Sequence, residues 1–523
     1  MANTSPAHAL KPGTNPWFIA VSVMLATFME VLDTAIASVA LPYIAGSLSA
    51  SLVEATWVLT SYLVANAVIL PTSNWFALKF GRKRFLILCV MIFTVASFLC
   101  GAAPTLGFMV IARIVQGAGG GALQPLSQAI LLESFPPQKR GVAMAVFAFG
   151  VVVAPILGPT LGGWLTDTYS WRYAFYINIP VGILAVLMIS RFVEDPPYIK
   201  NAKAGKFDNL GFGLLAVWTG CLQVVLDKGQ EDDWFGAVWI RWAVLFCAVA
   251  LVWFVIHCWR KKAALVNLHI FKDWNFAVGC ALMTVFGMAV YSTITVLPLY
   301  YQELLGYTAF AAGWAVGPRG FGAIAAMPMI GYLSRRVDAR YLLTFGFILF
   351  GLVTLSFGNA TLEISPTTLL WPIIIMGFAF SFVFVPITTE AYGTLPNEQI
   401  GNASGIFNLV RNIGGSVGIS LAQTLLTRRA DTHQNEMTNY VARTQIWFQQ
   451  HVSSLTSYLG GHIGAANARA DARLALYQTL GQQALHWAFV DVFRWTALMS
   501  FGCVLLVWFF RKVKHGRAPA GAH

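Results

Sequence analysis

Charge is the scarcest property of this sequence. Only 11% of its 523 residues are Asp, Glu, Lys or Arg and 57% are hydrophobic, against about 25% charged in a soluble globular chain. That shortage excludes a large soluble domain and points to a polytopic membrane protein. Paired cysteines are missing too. The seven cysteines are dispersed with no C-x-x-C, and only Cys258 has an adjacent histidine, His257. A disulfide framework and a metal site are therefore not expected. There is no G-x-x-x-x-G-K-[ST] loop to hold a nucleotide, no nucleophile–base–orienter set in an aqueous loop, and hence no cofactor or enzyme chemistry to expect. The formal charge of +12 does not imply nucleic acid, because its Lys and Arg lie in short loops between apolar runs rather than on one face. The first apolar run lacks a small-residue cleavage site, so it reads as a retained helix behind a polar tail, not a signal peptide.

Fourteen apolar runs read as spanning helices, near 17–41, 55–78, 84–103, 108–132, 139–164, 172–193, 207–227, 237–259, 274–300, 310–333, 341–358, 368–391, 402–427 and 488–511. The fold class is thus an all-α membrane protein. Basic residues follow the even-numbered runs: Lys79, Arg82, Lys83 and Arg84, then Lys139 and Arg140, Lys200, Lys203 and Lys206, Arg260 to Lys262, Arg335, Arg336 and Arg340, and Arg511 to Lys514. Asp227, Glu231, Asp232, Asp233 and Glu363 lie on the other side. The positive-inside rule then places both termini in the cytoplasm. The loop after the twelfth run, 395–399, lacks basic residues. The outer segment 428–487 carries Arg428 and Arg429, but long loops obey the rule weakly.

A repeat runs at an offset of 260 residues, matching Pro136 with Pro396, Gly141 with Gly401, Ala143 with Ala403, Phe147 with Phe407 and Gly158 with Gly418. It divides the chain into a tail at 1–16, a six-helix bundle at 17–193, two inserted helices at 207–259, a second six-helix bundle at 274–511 and a tail at 512–523. Parallel six-helix repeats with a site at their interface are a transporter architecture. The polar segment 428–487 reads either as a solvated cap or as a docking element for a periplasmic partner, with Gly460-Gly461 as a turn between two amphipathic helices.

The first run carries two carboxylates three residues apart, Glu30 and Asp33. An ionisable group at membrane depth costs at least ~2.5 kcal/mol, and such groups mainly face a bundle interior or an aqueous path. Asp33 and Arg113 of the fourth run sit at similar depth, roughly 10 Å below the outer surface at ~1.5 Å per residue. A carboxyl held between burial and a fixed cation can load and release a proton. A static buried ion pair is the alternative. Glu30, one turn from Asp33, is open to three roles: a second proton site, a cavity charge or an interfacial residue. The repeat places Thr293 at the position equivalent to Asp33, so any proton site belongs to the first half alone.

The fifth run contains Gly150, Pro155, Gly158, Pro159, Gly162 and Gly163. Small residues let helices approach closely and prolines bend the axis, giving either plain close packing or a gating hinge. The candidate cavity lining is aromatic and amide-rich: Tyr62, Asn66, Gln116 and Gln124 in the first half, Phe286, Tyr291, Phe407 and Asn408 in the second. Three further charges lie at membrane depth. Arg411 stands beside the thirteenth run's glycines, Arg319 lies deep enough to line a cavity or pair with an acid, and Glu390 is near a helix end. An apolar cavity with a few hydrogen-bonding groups suits varied lipophilic cargo.

The strings Leu32-Asp33-Thr34-Ala35-Ile36, Arg113-Ile114-Val115-Gln116-Gly117, the Gly150–Gly163 run and Trp171-Arg172-Tyr173 through Pro180-Val181-Gly182 resemble the fourteen-helix drug:proton antiporter branch of the major facilitator superfamily, closest to EmrB-type multidrug exporters. The resemblance covers essentially the whole chain. It implies proton-driven export of lipophilic small molecules across a bacterial inner membrane, with Asp33 as the coupling acid and Arg113 as its partner. It also implies a periplasmic adaptor protein and, through it, an outer-membrane channel. One motif departs from the family pattern. In the loop between the second and third helices the leading glycine is Asn74 and the acid is Leu78, so the acid-mediated latch is not carried over; Gly81 and Arg82 remain. A specific exporter of one metabolite, siderophore or lipid has the same sequence features. A non-transporting scaffold or sensor would gain by losing Asp33 and Arg113.

Overall fold

The computed structural model describes residues 15–136, 139–196, 199, 205–261, 264–334, 336–361, 364, 366–440, 446–463 and 465–511. Among them there is no strand, and each of the fourteen apolar runs is helical. The helices of eight residues or more are α1 (Pro16–Ser47), α2 (Trp57–Ile69), α3 (Ser73–Phe80), α4 (Arg82–Gly101), α5 (Leu106–Gly120), α6 (Leu123–Ser134), α7 (Arg140–Thr168), α8 (Asn178–Phe192), α9 (Asn209–Lys228), α10 (Val238–Arg260), α11 (Trp274–Glu303), α12 (Ala309–Val316), α13 (Arg319–Leu333), α14 (Ala339–Phe357), α15 (Pro366–Gly393), α16 (Asn397–Tyr440), α17 (Ile446–Ile463) and α18 (Ala465–Val507).

Three runs fold in two pieces. The second breaks at Leu70–Thr72, where Pro71 removes a backbone donor. The fourth breaks after Gly119-Gly120-Gly121, where helix propensity is lowest. The tenth breaks at Gly317-Pro318. Eleven described stretches are long and apolar enough to cross a membrane, with Leu106–Ser134 and Tyr173–Phe192 each taken as one. This is fewer than fourteen. The second and tenth runs are cut into short pieces, and α16, though an unbroken helix, carries Asn408, Arg411 and Asn412 in its apolar run.

Segment 428–487 is corrected more substantially. It is helical, as expected, but in three described pieces rather than two, and Gly460-Gly461 is not the turn between them. The helix α16 continues to Tyr440, α17 runs through both glycines, and α18 begins at Ala465. At ~1.5 Å per residue the 44 residues of α16 span about twice the ~30 Å hydrocarbon core. Its extension is tied to α18 by His433 Nε2 to Asp491 Oδ2 at 2.9 Å and by Gln434 donating to the Tyr477 hydroxyl at 2.8 Å.

Packing partners recur along the chain. Helix α1 packs on α7 and α8 as α11 packs on α16 and α18; α4 packs on α5 and α8 as α14 packs on α15 and α18; α2 on α5 corresponds to α13 on α15. Glycine makes the central contacts possible. A Cβ at Gly158 would lie 2.3 Å from the Ala35 Cβ, and one at Gly418 would lie 2.3 Å from the Met288 carbonyl oxygen. Each repeat-related glycine therefore fits its helix against the one that opens its repeat.

At the end of the bundle bearing α1's first turn, the two groups of helices are locked together. Gln128 of α6 accepts from Asn408 at 2.7 Å and Tyr392 at 3.2 Å, and Ser404 donates to the Pro125 carbonyl at 2.9 Å. Arg82 pairs with Glu133 of α6. Asp195 accepts from the Lys83 amide at 2.8 Å and crowds Gly81, whose φ of +86° favours glycine. Glu133 and Asp195 thus hold the loop in which Leu78 replaces an acid.

Helix α9 is fastened at the same end by Asp208, which accepts from Gly211 N at 3.1 Å, Lys261 Nζ at 2.8 Å and Leu265 N at 3.3 Å, and meets His257 Nε2 at 3.0 Å. Burial raises the Asp208 carboxyl, but these hydrogen bonds outweigh it and hold it down at about 2. A carboxyl depressed on folding stabilises above its unfolded value and stops doing so as pH falls through its folded one. The Asp208→Asn variant is therefore expected to melt below the wild type at pH 7, with the difference disappearing only toward pH 2. Melting curves in detergent across that range check it.

Candidate functional site

Helix α1 presents its two carboxylates to different surroundings. Asp33 turns toward α5 and α8 and is 1% exposed. Its Oδ2 accepts from Arg113 Nη1 at 2.6 Å; its Oδ1 accepts from Gln116 at 2.8 Å and from Asn178 at 2.6 Å. Arg113, fully buried, also donates through Nε to the Val58 carbonyl at 2.9 Å and through Nη1 to Gln116 at 2.8 Å. Its guanidinium lies 4.3 Å from the Tyr62 ring centroid. Every polar partner of the Asp33 carboxylate is a donor, which suits its ionised form.

Glu30 points elsewhere. It lines a cavity of about 370 Å³ enclosed by α1, α2, α5, α6, α7, α9, α11, α13, α15 and α16. Its Oε1 accepts from Asn66 at 3.0 Å, Oε2 has no partner, and Gln124 lines the same cavity. Gln124 in turn accepts from Arg411. An amide on α6 thus holds a guanidinium on α16, across the interface of the two helix groups.

Tyr62, Asn66, Gln124, Phe286, Tyr291, Arg319 and Arg411 all line this cavity, as does Arg113. Four residues assigned to it from sequence lie elsewhere. Gln116 is turned onto Asp33 and Arg113. Phe407 packs on Tyr392, with ring centroids 5.3 Å apart, and Asn408 binds Gln128, so both belong to the seal. Glu390 is buried near the end of α15, within electrostatic reach of Asp338 and Arg340. Gln116, Phe407 and Asn408 leave their helices on another face, whereas Glu390 lies close to its helix end.

The Gly/Pro run of α7 divides by face. Gly150, Gly158 and Gly162 abut Met24, Ala35 and Ile36 of α1, and Pro155 lines the cavity. Pro159 meets α12, where a Cβ at Gly313 would lie 3.2 Å from it; nothing lies within 4 Å of a Cβ at Gly163.

Sequence reasoning missed three contributors. Asn178, a lone amide inside an apolar string, was a readable signal for a buried partner. Gln223 and Asp227 line the cavity from α9, the first inserted helix; Gln223 accepts from Ser416 at 2.9 Å and Asp227 accepts from Thr60. Asp227 falls at the end of its apolar run and so reads as a loop acid. Among the described residues no group of three metal-ligating side chains occurs.

A bundle of apolar helices around a closed-ended central cavity, with repeated packing and a buried ion pair beside it, is the architecture of a membrane transporter. The chain belongs to the Major Facilitator Superfamily, whose pattern matches residues 23–419. Within it, the chain is 35% identical over 506 residues to the multidrug export protein EmrB of Escherichia coli (strain K12), covering 96% of this chain and 97% of that protein. It is also 35% identical to EmrB of Haemophilus influenzae over 94% and 95% of the two chains. It is an EmrB-type exporter of the superfamily. A crystal structure of a double-tryptophan XylE mutant shares the fold, with a TM-score of 0.60 at 15% identity over 96% of this chain and 97% of that one.

Proposed function

We propose that the protein is a proton-coupled antiporter that exports lipophilic small molecules by alternating access. The observation that carries this reading is the Asp33–Arg113 pair, sealed from the cavity on its Asp33 side while Arg113 itself lines the wall. Protonating Asp33 removes the charge that holds Arg113. Freed, the guanidinium is attracted more strongly to a cavity carboxylate such as Glu30 than to its neutral former partner, and α1, α5 and α8 lose their common tie. Proton loading is thereby converted into a change of helix packing. Glu30 is the carboxylate that exchanges protons directly with the cavity. The relatives' names, multidrug export proteins, and the aromatic walls favour varied lipophilic substrates.

The reading extends to architecture. Fourteen crossings, two six-helix bundles and two inserted helices are supported by the repeated packing scheme. Both termini lie in the cytoplasm of a bacterial cell, with the seal on that side and the cavity open toward the other. The projecting ends of α16 and α18, with α17, dock a periplasmic adaptor and through it an outer-membrane channel; exposed Ile446, Leu474 and Tyr477 on this projection are apolar positions for such a contact.

The test is proton movement in proteoliposomes on adding lipophilic substrates. Wild-type protein is expected to move protons when substrate is added. Glu30→Gln is expected to slow this several-fold without abolishing it. Proton movement at the wild-type rate in Glu30→Gln would remove Glu30 from the path.

A further inference from the structure

Of the cations lining the cavity, Arg319 has the weakest partner. Arg113 is paired with Asp33, Arg411 donates to the Gln124 side-chain oxygen while its Nε and Nη1 have no partner, and Asp227 accepts from Thr60. Arg319 has no such counterpart. It is 4% exposed and lines the cavity. Its one hydrogen-bond acceptor is the Met376 thioether at 3.1 Å, and Nε has none. Among the described residues no carboxylate lies within ion-pair distance of it. A guanidinium presents five donors in a planar fork, and a thioether is a weak acceptor.

Its setting strengthens the charge. Arg319 is the first residue of α13, the second piece of a broken helix, where the partial positive charge of a helix N-terminus adds to its own. Retaining a buried, unmatched cation is costly unless an anion meets it during the working cycle. Beside it the cavity wall is apolar. Phe286, Phe380 and Phe384 line the same space, with ring centroids 5.4 Å apart for the first two and 5.5 Å for the last two.

We infer that Arg319 is the anchor for the acidic group of an amphiphilic organic anion, whose apolar body lies along Phe286, Phe380 and Phe384. This rests on the cavity being the substrate site of the proposed antiporter and adds the charge class that site prefers. A carboxylate takes two parallel N–H donors from Arg319 in place of one thioether contact. Lipophilic anions are thus separated from neutral molecules of the same shape at this one residue.

The test uses purified full-length protein in detergent and two probes, 11-(dansylamino)undecanoic acid and its primary amide, with binding read by dansyl fluorescence. Wild-type protein is expected to bind the acid on the order of 10- to 100-fold tighter than the amide, the range for a charge-assisted hydrogen bond. Arg319→Gln should remove that preference while leaving amide affinity unchanged, and Arg319→Lys should keep much of it. Equal affinities in the wild type would overturn the proposal without any variant. So would an acid preference that survives Arg319→Gln. Binding needs no proton gradient, so the two readings fail separately. A charge preference with no proton movement in proteoliposomes keeps the anion site and removes antiport. Proton movement driven equally by acid and amide keeps antiport and removes the anion site.

Discussion

Asp33→Asn is expected to abolish substrate-driven proton movement and to destabilise the protein. The stability loss follows from burial. Arg113 is fully buried and Asp33 nearly so, and removing one partner of such a pair leaves an uncompensated charge, typically costing about 3–5 kcal/mol. The loss of coupling follows from chemistry, since an amide does not take up and release a proton in the working range. The two effects separate in the double variant Asp33→Asn/Arg113→Gln, which removes both charges. It should recover much of the thermal stability lost by Asp33→Asn, because no lone charge remains, yet move no protons. Recovery of both would mean that the pair is only structural. Melting temperature and liposome pH, measured on the same three preparations, distinguish these results.

A second large effect is expected inside one motif. Gly158→Ala places a methyl group 2.3 Å from the Ala35 Cβ, about half a turn past Asp33 on the helix that carries both carboxylates. Overpacking of this kind costs about 1–3 kcal/mol, and the displacement falls on the helix that aims Asp33 and Glu30. Gly163→Ala meets nothing within 4 Å and replaces a weak helix former by the strongest, so it should be neutral or slightly stabilising. Gly418→Ala, against the Met288 carbonyl at 2.3 Å, should behave like Gly158→Ala. Melting temperature and substrate export measured for all three decide between close packing at defined positions and a motif that needs glycine throughout. Equal loss at Gly158 and Gly163 would contradict the face assignment.

Helix positions were legible because long apolar runs have few alternatives in a chain this poor in charge. Asp33 and Arg113 were legible because ionisable residues inside such runs stand out and because depth can be counted at a fixed rise per residue. Direction around the helix was not legible. A run that is apolar on all sides has no amphipathic stripe, so Phe407 and Asn408 could not be assigned to the seal rather than the cavity, nor Gln116 to Asp33. Glu30 and Asp33, one turn apart, share a side of α1 yet one meets the cavity and the other a closed cluster; only the neighbouring helices decide that. The helices of 428–487 were expected, but their breaks were not: the Gly460-Gly461 pair suggests a turn, whereas packing of α18 against α16 and α17 carries α17 through it. The contribution of α9 was hidden because an insertion between repeats has no symmetry mate from which a role could be read.

Proton coupling is the central claim, and simultaneous recording of both fluxes tests it most directly. Wild-type protein in liposomes is given an imposed pH gradient, with internal pH and transport of a lipophilic fluorescent substrate followed together. Antiport predicts that substrate moves against the direction of proton flow, that adding substrate accelerates dissipation of the gradient, and that an uncoupler stops accumulation. Substrate accumulation that proceeds unchanged with the gradient collapsed, or substrate movement without any proton movement, would contradict it.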